Sequence, residues 1–143
     1  MDIKANIVLK GTERVEYFYY SDFYYDYYDN KSVESSGYGF ETDLTYWFNN
    51  HFGIGAGFEF MYRNAEHYNH YKGNMFNAFA SLNARAKNFY CYANAGTRIS
   101  LGAGIEISNF IVDISYNFYL ADSDRIKGAQ SLNLSAGYKF NLM

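Results

Sequence analysis

The stretch Phe52-Gly53-Ile54-Gly55-Ala56-Gly57-Phe58-Glu59-Phe60-Met61-Tyr62-Arg63 decides the fold. From Phe52 to Tyr62 every second residue is apolar or aromatic; the residues between include three glycines and Glu59, and Arg63 follows in the same phase. A period of two sends alternate side chains to opposite faces of a strand, whereas a helix would mix the two sets. The stretch therefore reads as a strand with one ring-rich face and one polar, glycine-rich face.

Seven more segments share that alternation: Ile3 to Leu9, Tyr38 to Asn49, Asn74 to Ala86, Phe89 to Gly96, Ile99 to Ile107, Phe110 to Leu120 and Ser131 to Leu142. In each, one face carries no charge; examples are Ile3-Ala5-Ile7-Leu9 and Leu132-Leu134-Ala136-Tyr138-Phe140-Leu142. The opposite faces hold Lys4, Glu41, Asp43, Glu59, Arg63, Arg85, Glu106, Asp113 and Lys139, among Asn, Ser and Gly. This separation accounts for a chain that is 22% aromatic yet has a mean hydropathy of −0.35.

Composition narrows the function classes. One domain, spanning 1–143, is the reading for 143 residues without proline. Abundant aromatic and β-branched residues argue against disorder. No stretch approaches the roughly 18 apolar residues of a membrane-spanning helix. A net charge of −3 gives no basic stripe for nucleic acid. Cys91 is the single cysteine, so no internal disulfide and no multi-cysteine metal site is expected. Met1-Asp2-Ile3-Lys4 runs directly into alternation without the charged start and apolar core of a signal peptide. The expectation is a cytosolic chain or a mature exported form with an added start Met.

The connections vary in a regular way. Asn50-His51, Lys87-Asn88 and Ser108-Asn109 are short, and their Asn residues suit the positive φ of tight hairpins. Gly11 to Gly37, Asn64 to Gly73 and Ala121 to Gln130 are long, while Thr97-Arg98 is very short. Eight meandering strands predict an all-β, eight-stranded antiparallel up-and-down barrel. A soluble lipocalin-like ligand binder would turn the apolar face inward; a transmembrane barrel would turn it toward lipid. Glycines on the polar face (Gly39, Gly53, Gly55, Gly57, Gly96, Gly102, Gly104, Gly137) suit a narrow lumen. Rings near segment ends also suit two interfacial girdles: Phe48, Phe52, Phe89, Phe110 and Phe140 toward one rim, and Tyr38, Phe40, Phe60, Tyr62, Phe76, Phe118 and Tyr119 toward the other. The transmembrane barrel is the preferred reading.

On the strength of Phe52 to Phe58, Gly102-Ala103-Gly104-Ile105-Glu106 and the closing Leu134-Ser135-Ala136-Gly137-Tyr138-Lys139-Phe140, the whole chain resembles the small outer-membrane β-barrels of the OmpA/OmpX-like group. The resemblance implies the outer membrane of a Gram-negative-type bacterium, lipid and lipopolysaccharide as surroundings, and a monomer. It also implies a last strand ending on an aromatic; here Asn141-Leu142-Met143 follow Phe140.

Two groups of residues are candidates for function. Glu41, Asp43, Glu59, Glu106 and Asp113 are expected to meet Lys4, Arg63, Arg85, Arg98 and Lys139 in a lumen ion-pair network. Its preferred role is a polar plug; the alternative is a narrow ion channel gated by ion-pair exchange. The first long connection carries Tyr17, Tyr19, Tyr20, Asp22, Tyr24, Tyr25, Asp26, Tyr27, Tyr28 and Asp29, and six acids against two bases overall. Tyrosine gives large contact area at low entropic cost, so this is the candidate surface for an extracellular protein partner. The acids also suit divalent cations bridging to lipopolysaccharide. A lipid-modifying enzyme is a weaker alternative. His51, His67 and His70 lack an evident serine partner, and His67-x-x-His70 offers only two metal ligands. No cofactor, metal site or catalytic residue is expected.

Overall fold

The computed structural model describes residues 1–17, 35–65, 73–119 and 126–142. Its eight strands are β1 (Asp2–Tyr17), β2 (Ser35–Trp47), β3 (Phe52–Ala65), β4 (Gly73–Ala86), β5 (Phe89–Gly96), β6 (Arg98–Ile107), β7 (Phe110–Tyr119) and β8 (Ile126–Asn141). Each pairs antiparallel with the next, and β1 pairs with β8, from Asp2↔Asn141 to Tyr17↔Ile126, to close the barrel.

The two faces of every strand meet opposite surroundings. Ile7, Leu44, Phe52, Leu82, Leu101, Ile114 and Leu134 point outward and are exposed. Asn6, Asp43, Glu59, Ser81, Ser100, Asp113 and Lys139 point inward and are buried. This is the inverse of a water-soluble protein and overturns the lipocalin-like alternative. An outside so continuously apolar is stable against hydrocarbon, where a closed ladder also leaves no sheet edge exposed. Rings gather toward both rims. Tyr38–Tyr62, Phe40–Phe60 and Phe58–Phe76 pack at centroid distances of 5.6, 5.9 and 6.0 Å at the long-loop side. Phe110–Tyr138 and Tyr138–Phe140 pack at 5.3 and 4.9 Å near the short turns.

Strand ends differ from the expectation where the alternation slips. β1 continues beyond Leu9 to Tyr17, and β8 begins at Ile126 instead of Ser131. Between Lys10 and Glu13 β1 advances three residues while β8 advances two, from Asn133 to Ser131. This bulge inserts one residue and reverses the phase, so a strict period of two ends there. In the short turns the left-handed residues are Lys87 (φ 54°) and Ser108 (φ 58°), not the neighbouring asparagines. Asparagine acts through its side chain instead. Asn49 Oδ1 accepts from the His51 and Phe52 backbone N–H at 2.7 and 2.8 Å, and Asn109 Nδ2 donates to the Tyr138 hydroxyl at 3.0 Å.

The inversion gives a direct test. Leu101, 56% exposed, lies near the middle of the outward face of β6. Leu101→Arg is expected to cost about 2–4 kcal/mol of stability in phospholipid vesicles, read from denaturant titration. The unaltered chain is expected to form a β-rich, heat-modifiable species with detergent or lipid and not in plain buffer.

Candidate functional site

The lumen is filled because small inward residues on one strand admit large ones from the next. A Cβ placed on Gly57 of β3 would come within 2.6 Å of the Phe79 ring of β4. One on Gly104 of β6 would lie 2.8 Å from the Tyr90 ring of β5, and one on Gly102 would collide with Tyr92. No described glycine has a positive φ, so these positions supply volume, not backbone freedom. Tyr90 and Tyr92 stack at 6.2 Å in the room left by Gly102 and Gly104.

Charges cross the space that remains. Arg98 of β6 is 1% exposed and reaches the opposite wall. Its Nη1 lies 2.6 Å from Glu59 Oε2 of β3, and its Nη2 lies 3.2 Å from Glu41 Oε2 of β2. The Lys4 ammonium of β1 sits over the Tyr90 ring of β5, 4.5 Å from its centroid. Two carboxylates are met by hydroxyls. Asp113 of β7 accepts from Tyr90 at 2.6 Å and Tyr92 at 2.8 Å. Asp43 of β2 accepts from Thr45 at 2.8 Å and Ser81 at 3.0 Å. Multiple donors offset the cost of burying a carboxylate.

A second cluster closes the mouth at the short turns. Asp2 Oδ2 accepts from the Trp47 indole N–H at 2.8 Å, and Arg85 Nη1 and Lys139 Nζ lie 3.5 and 3.9 Å from it. Lys139 also pairs with Glu106. The Arg85 guanidinium stacks on the Trp47 ring at 4.0 Å, and its Nε donates to the Asn50 carbonyl at 3.1 Å. Arg63 is buried on the inward face of β3.

Asp2, Trp47, Tyr90 and Tyr92 were not among the sequence candidates. Asp2 continues the inward phase of Lys4, one residue ahead of the alternating segment that starts at Ile3. The spacing of Tyr90 and Tyr92 against Gly102 and Gly104 was the available signal for the pair. Of the candidate surface residues, Tyr17 ends β1, while Tyr19, Tyr20, Asp22, Tyr24, Tyr25, Asp26, Tyr27, Tyr28 and Asp29 lie outside the described residues, as do His67 and His70. His51 is exposed in its turn, with Nδ1 3.2 Å from the Arg85 carbonyl oxygen. Cys91 is exposed on the outward face of β5. Among the described residues, no group of three His, Cys, Asp or Glu side chains could hold a metal ion.

Removing Arg98 takes away the guanidinium that the two buried carboxylates Glu41 and Glu59 share. Arg98→Ala is expected to destabilise the barrel by about 3–5 kcal/mol. Adding Glu41→Gln and Glu59→Gln to that variant should recover a large part of the loss, measured as denaturant midpoints in lipid vesicles.

No protein-family model and no curated protein matches the chain. Among solved structures it is similar to Ail, the attachment invasion locus protein of Yersinia pestis, in complex with the heparin analogue sucrose octasulfate. The TM-score is 0.58 at 18% identity, over 97% of this chain and 98% of that one. A backbone structure of the Yersinia pestis outer membrane protein Ail in a phospholipid bilayer nanodisc gives 0.48 at 20% identity, over 96% and 99%. A further crystal structure of Ail gives 0.40 at 18% identity, over 97% and 98%. At the first of these values the likeness is one of fold: the described residues of this chain form a closed eight-stranded antiparallel barrel like that of the outer-membrane protein Ail.

Proposed function

We propose that the chain is a non-enzymatic integral protein of the outer membrane of a Gram-negative-type bacterium. In this reading the barrel is a support, and the long connections make surface interactions, by adhesion or by binding an extracellular protein. The observation that carries it is where the spare chain goes. β1 and β8 have 16 residues each and β3 and β4 have 14, against the roughly 9–11 that a tilted spanning strand needs. Their excess length lies on the rim that bears 18–34, 66–72 and 120–125, whereas the other rim has only the turns at 48–51, 87–88 and 108–109. Residues that cross the lumen, Arg98 to Glu41 and Lys4 to Tyr90, favour this role over that of a pore.

The kind of partner follows from charge. Gly11 to Gly37 holds Glu13, Glu16, Asp22, Asp26, Asp29 and Glu34 against Arg14 and Lys31. That surface repels a sulfated polyanion and suits a neutral or basic protein face, with tyrosines supplying contact area. Calcium or magnesium would also let it bridge to anionic lipopolysaccharide.

The test replaces 18–34 with a short Asn-Gly turn, leaving β1 and β2 intact. Cells or vesicles bearing the shortened barrel are expected to lose adhesion to protein-coated surfaces while keeping the same denaturant midpoint. Sucrose octasulfate should not compete for the unaltered chain. Adhesion that survives the replacement would remove the loop from the function, and discrete openings in planar bilayers would favour the channel.

A further inference from the structure

Small residues set against large rings account for the packing at Gly57, Gly102 and Gly104, but one row of the inward face is built differently. Ser81 pairs with Asn94, Asn94 with Ser100, Ser100 with Asn117, and Asn117 with Ser131. A single line of register thus crosses β4 to β8 with serine and asparagine alone. Each of the five is at most 3% exposed. Neighbours in such a line have Cβ atoms about 5 Å apart, so their side chains share one space.

The hydrogen bonds of this row run out before its polar atoms do. Ser81 Oγ donates to Asp43 at 3.0 Å and accepts from Asn83 at 2.9 Å. Asn117 Nδ2 donates to the Ser115 hydroxyl at 3.2 Å, which leaves its Oδ1. Ser131 Oγ donates to Asn133 Oδ1 at 3.0 Å, which leaves Asn133 Nδ2. Asn94 Oδ1, Ser100 Oγ, Asn117 Oδ1 and Asn133 Nδ2 are buried without a hydrogen-bond partner among the described residues, and they stand on four adjoining strands. Protein interiors rarely leave even one such group unpaired.

The donor set selects the ligand. Two amide oxygens need donors, an amide N–H needs an acceptor, and a hydroxyl serves as either. Arg98, one inward position from Ser100 on β6, opposes a cation here, and the two amide oxygens oppose an anion. A small neutral molecule that both donates and accepts fits all four atoms. Water does so, and a buried water makes about three bonds of this kind.

We propose that Asn94, Ser100, Asn117 and Asn133 form an internal water-binding site sealed within the lumen. Toward the long loops stands Arg98, paired with Glu41 and Glu59. Toward the short turns stands Tyr92, one inward position from Asn94 on β5, joined to Tyr90 by stacking and to Asp113 by a hydrogen bond. The inference rests on the reading of the lumen as a plug and divides that plug into two layers with water between them.

The test uses the full chain, isotope-labelled, in phospholipid nanodiscs. Magnetic cross-relaxation from water to the side-chain amides of Asn94, Asn117 and Asn133 is expected, with the sign of water held inside the protein. Its absence at all three overturns the proposal. Ser131→Ala removes the hydroxyl that touches Asn133 and is able to relay the signal by proton exchange, while it keeps the four atoms of the site. The Asn133 cross-peak is expected to survive that change; its loss overturns the proposal. Ser100→Val puts methyl groups where the central hydroxyl stood and should weaken the cross-peaks of Asn94 and Asn117. Undiminished peaks would place the water elsewhere and sink the idea. The plug reading fails separately: discrete openings in planar bilayers would remove the plug and the seal together, whereas absent cross-peaks with a silent bilayer would remove the water and leave the plug.

Discussion

Hydrocarbon offers no hydrogen bonds, and the structure depends on that constraint. Every backbone N–H and C=O within the band has to be paired by the chain itself, which a sheet achieves only by closing. The β1–β8 ladder, from Asp2↔Asn141 to Tyr17↔Ile126, completes that closure. This barrel closes at eight strands, which leave an interior about wide enough for side chains. The inward faces must therefore be both polar and fitted. Glycines at Gly57, Gly102 and Gly104 follow from the fit, because Phe79, Tyr92 and Tyr90 occupy what their side chains would fill.

The interior shows how charge is tolerated once solvent is excluded. Arg98 holds Glu41 and Glu59 from the opposite wall, and Asp113 and Asp43 are each held by two hydroxyls. Arg98 links β6 to β2 and β3 across the barrel, Asp113 links β7 to β5, and Asp43 links β2 to β4. They brace it internally as an apolar core braces a soluble domain, with each link needing its partners in place.

The fold was legible in the sequence because the two faces meet different solvents. Phase does not depend on strand length, so the alternation alone places Ile54, Leu82, Leu101 and Leu134 on the outward face, where they are exposed. Strand ends were less legible. The bulge between Lys10 and Glu13 breaks the period without ending the ladder, and the pattern alone does not separate those two events. Contacts across the lumen were least legible, since they depend on the stagger of strands around the barrel. Nothing in the spacing of Asp113 and Tyr90 says that one hydroxyl reaches that carboxylate, although Gly102 and Gly104 did mark where large rings had to go.

The fold of this chain does not dictate its surface chemistry. At 18% identity the likeness of fold to Ail covers nearly the whole length, because any alternating sequence that closes eight strands satisfies the same solvent constraint. The connections are under no such constraint. Between Gly11 and Gly37 this chain carries an acidic, tyrosine-dense segment, and a polyanion such as the octasulfate seen with Ail would meet like charge there. The barrel determines only which strands those connections join.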